Sequence, residues 1–376
     1  MTGLGFLGFA GGVKGWMVVL GLLMVLPGRE GCGQGRPALL PARVEMILPT
    51  PNDAIWREDW AGFFMPTSSG RLFSGAYGFT RSTEPEPPKF FNQFHEGIDI
   101  RPVRMDANGI ALDPVYAALD GEVVYVNLRA NKSNYGIYVV VMHRFAEGDA
   151  FTLYGHLASA SVKARDRVRA GQTIGRVGFT GNAQRARPHL HFEFAFLMNR
   201  HWPQWWERHG QRRPDDVNEH GMWNGNNLNG VDPIPILKAH HAGRALTLGD
   251  ILRREEHVFT VRVPASRHYF DWQLRFPQMV EGGISGPTPV SWEVACNRIG
   301  MPLRFRRSSR SAPPGGELVW FDFSRSWQDS FCRNIVVRTG PKSAELTENG
   351  KGWFHGIFYL PQDDRAPRAS PVGSKR

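Results

Sequence analysis

The chain has 376 residues and carries 45 Lys and Arg against 35 Asp and Glu, a net charge of +10. That length suffices for two domains with cores of their own, and 41% hydrophobic with 21% charged residues excludes wholesale disorder. Three cysteines, Cys32, Cys296 and Cys332, exclude a disulfide scaffold and a Cys-rich zinc module, while the positive charge suits an anionic partner: nucleic acid, a membrane surface or an acidic wall polymer.

Residues 1–33 read as a signal peptide or lipoprotein leader. Lys14 precedes the apolar run Trp16–Leu26, which Pro27-Gly28 breaks. The run falls short of the roughly 20 residues a spanning helix needs, although an uncleaved anchor is the competing reading. Cys32 after Gly31 hints at lipid attachment, whereas Arg29 and Glu30 stand against it. If Cys32 leaves with the leader or carries lipid, Cys296 and Cys332 remain, either as a disulfide or as two buried thiols.

Residues 34–60, punctuated by Pro41, Pro49 and Pro51, form an irregular lead-in. Residues 61–242 form the first domain. The runs Val115–Asn127, Gly136–His143, Phe151–His156 and His189–Phe196 are β-branched or aromatic, with turn residues between them, and predict antiparallel strands. Asp120-Gly121 reads as a hairpin turn and Glu147-Gly148-Asp149 as turn chemistry. A short helix over Leu246–Arg254 opens the second domain, 245–361. There Tyr269–Phe276 alternates with Phe270, Trp272, Leu274 and Phe276 on one face, and Ser291–Cys296, Leu318–Phe323, Ile335–Arg338 and Trp353–Leu360 continue the pattern. This predicts a mainly β chain whose C-terminal domain is β-sandwich-like. Residues 362–376 form a flexible polar tail.

Three segments concentrate the histidines: Phe94-His95-Glu96-Gly97-Ile98-Asp99, Leu153-Tyr154-Gly155-His156-Leu157 and Pro188-His189-Leu190-His191-Phe192-Glu193-Phe194. In a strand, His189, His191 and Glu193 share one face, and Leu190, Phe192 and Phe194 take the other. The aromatic side supplies core, leaving two imidazoles side by side on an open face. His95 and Asp99, separated by Gly97, can converge on one point. Two His and one Asp make three zinc ligands that leave a position for water, the pattern of a catalytic rather than a structural site.

These segments resemble the signature of the M23 (lysostaphin/LytM-type) zinc metallopeptidases, which cut peptide cross-links of bacterial cell walls. The order His-x-Gly-x-Asp, Tyr-x-His-Leu, His-Leu-His-Phe-Glu is intact. The flanks Pro114–Ala118, Val168–Gly175, Gly178–Gly181 and Val231-Asp232-Pro233 agree with it. The resemblance covers about residues 70–240 and implies an antiparallel β-sheet metallopeptidase domain. It implies Zn2+ on His95, Asp99 and His191, with His156 and His189 as catalytic histidines and peptidoglycan as substrate. Together with the leader, it predicts export to the periplasm or cell envelope of a bacterium. The competing reading is an inactive wall-binding or regulatory protein on the same fold. Tyr154 is read as an oxyanion donor or as core, and Glu193 as a strand-face partner to a basic side chain.

The chain departs from the family between Phe196 and Asn229, where Trp202, Trp205, Trp206 and Trp223 fall within an insertion. These tryptophans form either an aromatic wall over the cleft, with Trp205 and Trp206 contacting substrate, or packing for the insertion. Lys163, Arg165, Arg167, Arg169, Arg176, Arg185 and Arg187 make a basic cluster. It is either a steering surface for anionic polymer or a solvated face. No nucleic-acid-binding motif is present, and a membrane is expected only at the leader or at a lipid on Cys32.

Overall fold

The computed structural model describes residues 39–68, 70–79, 94–210, 217–266, 268–324 and 335–362. The leader, Cys32, Cys332 with its pairing, and the tail from residue 363 lie outside them. Cys296 is a buried thiol. No helix among the described residues is long and apolar enough to cross a membrane.

Strand β1 (Arg43–Val44) sits in the lead-in. The main sheet is built from β2 (Ile98–Ile100), β3 (Pro114–Tyr116), β4 (Gly121–Asn127), β5 (Ile137–Phe145), β6 (Gly148–Ala160), β7 (Arg167–Val168), β8 (Thr173–Val177), β9 (Leu190–Leu197) and β10 (Leu228–Val231). Its order is β10-β9-β6-β5-β4-β7, with β2 against β9, β8 against β6 and β3 against β8, all antiparallel. Period-two alternation explains why both faces are covered. Val139, Val141, Tyr154, Phe192, Phe194 and Phe196 enter the main core. Tyr138, Val140, Phe151, Leu153, Ala195 and Leu197 take the other face, where Met222 and Trp223, between β9 and β10, lie over them.

The turn between β5 and β6 is Ala146-Glu147, and Gly148, the first residue of β6, has φ 141°. Asp120-Gly121 is not a hairpin turn, because β3 pairs with β8 rather than β4. Gly121 answers a close approach instead: a Cβ there would stand 2.5 Å from the Met142 carbonyl oxygen.

Beyond the sheet, β11 (Leu246–Thr247) pairs β1 and leads into the helix Leu248–Arg254. Strands β12 (Phe259–Pro264), β13 (Ser291–Cys296), β14 (Pro302–Ser308) and β15 (Glu317–Phe321) form a four-stranded antiparallel sheet ordered β14-β13-β12-β15. A separate ladder joins β16 (Val336–Gly340) and β17 (Ser343–Leu346). Two expected strands are helices. Asp271–Arg275 is helical: the Gln273 side chain accepts from the Phe270 backbone N–H and closes the first turn, and Leu274 turns out to solvent while Phe270, Trp272 and Phe276 stay buried. Trp353 to Ile357 belongs to the helix Glu348–Ile357, capped by the Thr347 hydroxyl on the Gly350 N–H. A cap of this kind outweighs an aromatic-rich stretch that also fits a strand.

Candidate metal centre

Three neighbouring strands set the centre. Asp99 on β2 and Gly155 on β6 both register with His191 on β9, so the three positions line up across the sheet. The missing side chain at Gly155 keeps the space over His191 open; a Cβ there would meet the His191 Cβ and the Tyr135 ring at 3.4 Å. His95 enters from the segment before β2. Its Nε2 lies 2.9 Å from Asp99 Oδ1 and 3.1 Å from His191 Nδ1, and His191 Nδ1 lies 3.0 Å from the same Asp99 oxygen. All three residues are buried.

The outward nitrogens of both imidazoles face acceptors. His95 Nδ1 donates to the Ala76 carbonyl at 2.8 Å, and His191 Nε2 donates to Glu193 Oε1 at 2.8 Å. Each neutral ring therefore turns a lone pair toward the carboxylate oxygen, and three electron-rich atoms converge. Burial pushes the Asp99 carboxyl up, but charge on His95 and His189 and hydrogen bonds from His191 and His95 hold it well below the usual carboxylate range. Burial draws His191 down, yet Asp99 and Glu193 together raise it to about 9. The centre thus demands positive charge where the rings meet, which a proton or a metal ion supplies, the ion displacing the proton. His95, Asp99 and His191 are the one His/Cys/Asp/Glu group among the described residues whose ligand atoms converge in this way, all within 4.8 Å of one another. Around a tetrahedral ion, bonds of about 2.0–2.2 Å separate ligand atoms by about 3.3–3.5 Å, a small widening of the spacing here. The donor set fits a divalent ion of the zinc type.

His156 and His189 stand beside this triangle. Their rings are 4.8 Å apart, and His156 is 5.8 Å from His191. His156 Nδ1 donates to the Thr180 carbonyl and His189 Nδ1 to the Arg187 carbonyl, each at 2.8 Å. His189 Nε2 lies 3.6 Å from Asp99 Oδ1. Burial, then His189 and His191, hold the His156 imidazole well below its ordinary value against the pull of Asp99 and Thr180. It is therefore neutral at neutral pH.

A cleft of about 450 Å³ opens over these groups, lined in part by His95, His156, His191, Glu193, Tyr135 and Asn226. Polar side chains dominate the lining.

Three side chains proposed to touch substrate are placed elsewhere. Tyr154 is fully buried on the opposite face, its hydroxyl accepting from the Ala118 N–H and bonded to the Thr152 hydroxyl. Strict alternation would put Tyr154 and His156 together. His156 instead adopts φ 58°, a left-handed conformation that swings its ring to the face of His191. Trp205 packs on Trp202, and its indole N–H donates to His355 of the C-terminal helix; Trp206 adjoins Trp205. Neither lines the cleft. The segment between β9 and β10 reaches it through Gly225 and Asn226 instead. Sequence reasoning also missed Tyr135, whose only local signal is the turn at Gly136, φ 64°. Glu193 is indeed a strand-face partner, and the basic side chain it meets is His191.

Comparison with known proteins bears on this geometry. Residues 93–202 match the description Peptidase family M23. The lipoprotein NlpD of Yersinia enterocolitica is 30% identical over 91 residues, 24% of this chain and 86% of that protein. The peptidoglycan DD-endopeptidase ShyC of Vibrio cholerae is 41% identical over 85 residues, 22% of this chain but only 17% of its own length. Among solved structures, the catalytic domain of lysostaphin from Staphylococcus simulans is 26% identical, covering 43% of this chain and 89% of that one with a TM-score of 0.26. With the family match spanning all three histidine segments and most of one relative's length covered, the chain belongs to peptidase family M23.

Proposed function

We propose that the chain is a zinc endopeptidase that hydrolyses peptide cross-links of bacterial peptidoglycan after export to the cell envelope. The observation that carries this reading is the convergence of His95 Nε2, Asp99 Oδ1 and His191 Nδ1 beside two further histidines in one polar cleft. The DD-endopeptidase name of ShyC favours the D-alanyl cross-link as the bond. The exposed basic residues Lys163, Arg165, Arg167, Arg169, Arg176 and Arg185 suit an anionic wall.

His95, Asp99 and His191 would hold the ion, which when bound supplies charge to polarise the scissile carbonyl and acidify a water. His156, kept neutral by its surroundings, takes the proton from the attacking water. The Thr180 carbonyl fixes its tautomer so that Nε2 is the basic atom. His189, oriented by the Arg187 carbonyl, faces the same space and supports the developing oxyanion or the departing amine. The chain requires no covalent intermediate for this chemistry.

Incubation with purified peptidoglycan and mass analysis of the released fragments tests the reading. Wild type is expected to release new amino and carboxyl termini at the D-alanyl cross-link, and His156→Ala to release almost none. Zinc-loaded protein that leaves the wall intact would sink the proposal and favour a wall-binding role.

A further inference from the structure

Glu193 is fully buried, and its two oxygens are used unequally. Oε1 accepts from His191 Nε2 and from the Tyr135 hydroxyl, each at 2.8 Å, while Oε2 is buried with no hydrogen-bond partner. A buried carboxylate with an orphaned oxygen costs stability unless its charge serves something nearby. Its charge serves the imidazole it holds, because charge on Oε1 raises the basicity of a metal ligand and sets its tautomer.

Tyr135 extends this contact outward. It lies before β5, its ring centroid 5.3 Å from that of His191. Its phenol is pushed well above the ordinary value by burial and by Glu193, so the hydroxyl stays protonated and donates. On its other side stands Gly225, in the segment between β9 and β10 that reads from the sequence as an insertion. A Cβ on Gly225 would lie 2.5 Å from the Tyr135 hydroxyl oxygen and 3.1 Å from the ring. No side chain fits, so the insertion packs its backbone on the tyrosine.

From this geometry we infer that Glu193, Tyr135 and the Gly225 turn form one positioning relay, through which the insertion sets the metal affinity of His191. Glu193 aligns the imidazole, Tyr135 aligns Glu193, and the insertion limits where Tyr135 can stand. None of the three touches the reacting atoms, so each is a positioning residue. The inference rests on the proposed zinc site, but not on which bond is cleaved.

The test reads metal affinity on the full chain, by competition for Zn2+ with a chromophoric chelator, together with the visible absorption of the Co2+-loaded protein. Glu193→Gln keeps the shape and removes the charge; a 10- to 100-fold loss of affinity is expected. Tyr135→Phe removes one hydrogen bond to a charged group, and about a five- to tenfold loss with an altered Co2+ spectrum is expected. Gly225→Ala is expected to weaken binding similarly although it lies outside the ligand set. In the double variant Tyr135→Phe/Gly225→Ala the losses should not multiply, because both act through one hydroxyl. Glu193→Gln within twofold of wild type, or single losses that multiply in the double variant, overturns the relay. If Glu193→Gln fails to fold, the Tyr135–Gly225 cycle decides alone. Wild type that takes up no zinc would remove the metal centre and the relay together. Zinc-binding wild type with unaffected variants removes only the relay.

Discussion

His156 shows how one residue's backbone can place chemistry. Its φ of 58° is a conformation that costs a non-glycine residue about 1–2 kcal/mol, and such strain persists where surrounding contacts over-determine it. Here the His156 N–H donates to the Tyr135 carbonyl at 2.7 Å while the ring is tied to Thr180. The swing puts a neutral imidazole beside the ligand triangle without making it a ligand. His156→Ala should therefore lower kcat about 10²- to 10⁴-fold, the usual worth of a general base, and leave zinc stoichiometry unchanged. His191→Ala should lose both activity and metal. Zinc content measured beside turnover on cross-linked muropeptides checks the pair. Loss of zinc in His156→Ala would reassign that histidine to the ligand set.

At the scale of elements, the β5–β6 hairpin carries a buried polar chain under the sheet. His143 Nδ1 donates to the Asp120 carbonyl and Nε2 meets the Thr152 hydroxyl, each at 2.8 Å; Thr152 in turn bonds Tyr154. Burial takes His143 down to about 4 despite the Asp120 carbonyl. Above pH 6.5 the ring is neutral in both folded and unfolded chains. Between 6.5 and 4 the unfolded chain binds a proton the folded one refuses, so stability falls as pH drops, by roughly 3 kcal/mol in all. Urea midpoints between pH 7.5 and 4, taken with chelator present so that metal release contributes to neither protein, should fall more steeply for wild type than for His143→Gln. Parallel slopes would show that this histidine does not titrate alone.

The same hairpin marks what the sequence made legible. Alternation along β9 correctly separated His189, His191 and Glu193 from Leu190, Phe192 and Phe194, because a fully paired central strand obeys period two. It failed at Tyr154, because one left-handed residue at His156 reverses the faces and nothing in the letters Tyr-Gly-His announces it. Tyr135 was invisible for another reason. Its partner Glu193 is 58 positions away, and only the register of β5, β6 and β9 brings the two together. Tyr269–Phe276 was misread because its aromatic spacing fits a strand as well as a short helix, and Gln273 capping the turn settles it.

Across the whole molecule, the C-terminal residues are joined to the main sheet by buried polar and aromatic contacts. Phe196 of β9 packs edge-on against Trp272 and Phe276. Arg275 donates to the Leu197 and Met198 carbonyls, and Asp271 holds both Arg275 at 2.9 Å and Arg200 at 2.6 Å. The two arginines are not equivalent: the Arg275 side chain is 8% exposed and that of Arg200 is 54% exposed. Burial raises the Asp271 carboxyl, but both cations bring it below its ordinary value. Removing Asp271 leaves Arg275 charged and buried beside an apolar core, which costs about 3–5 kcal/mol. Removing Arg200 breaks a solvent-screened pair worth about 1 kcal/mol or less. Asp271→Ala should thus shift the urea midpoint far more than Arg200→Ala. Because Phe196, Trp272 and Phe276 belong to one continuous core, the loss should appear in a single transition followed by tryptophan fluorescence and far-UV circular dichroism alike. Two separated transitions in Asp271→Ala, with the main sheet unfolding at the wild-type midpoint, would show instead that the C-terminal residues lend that sheet no stability.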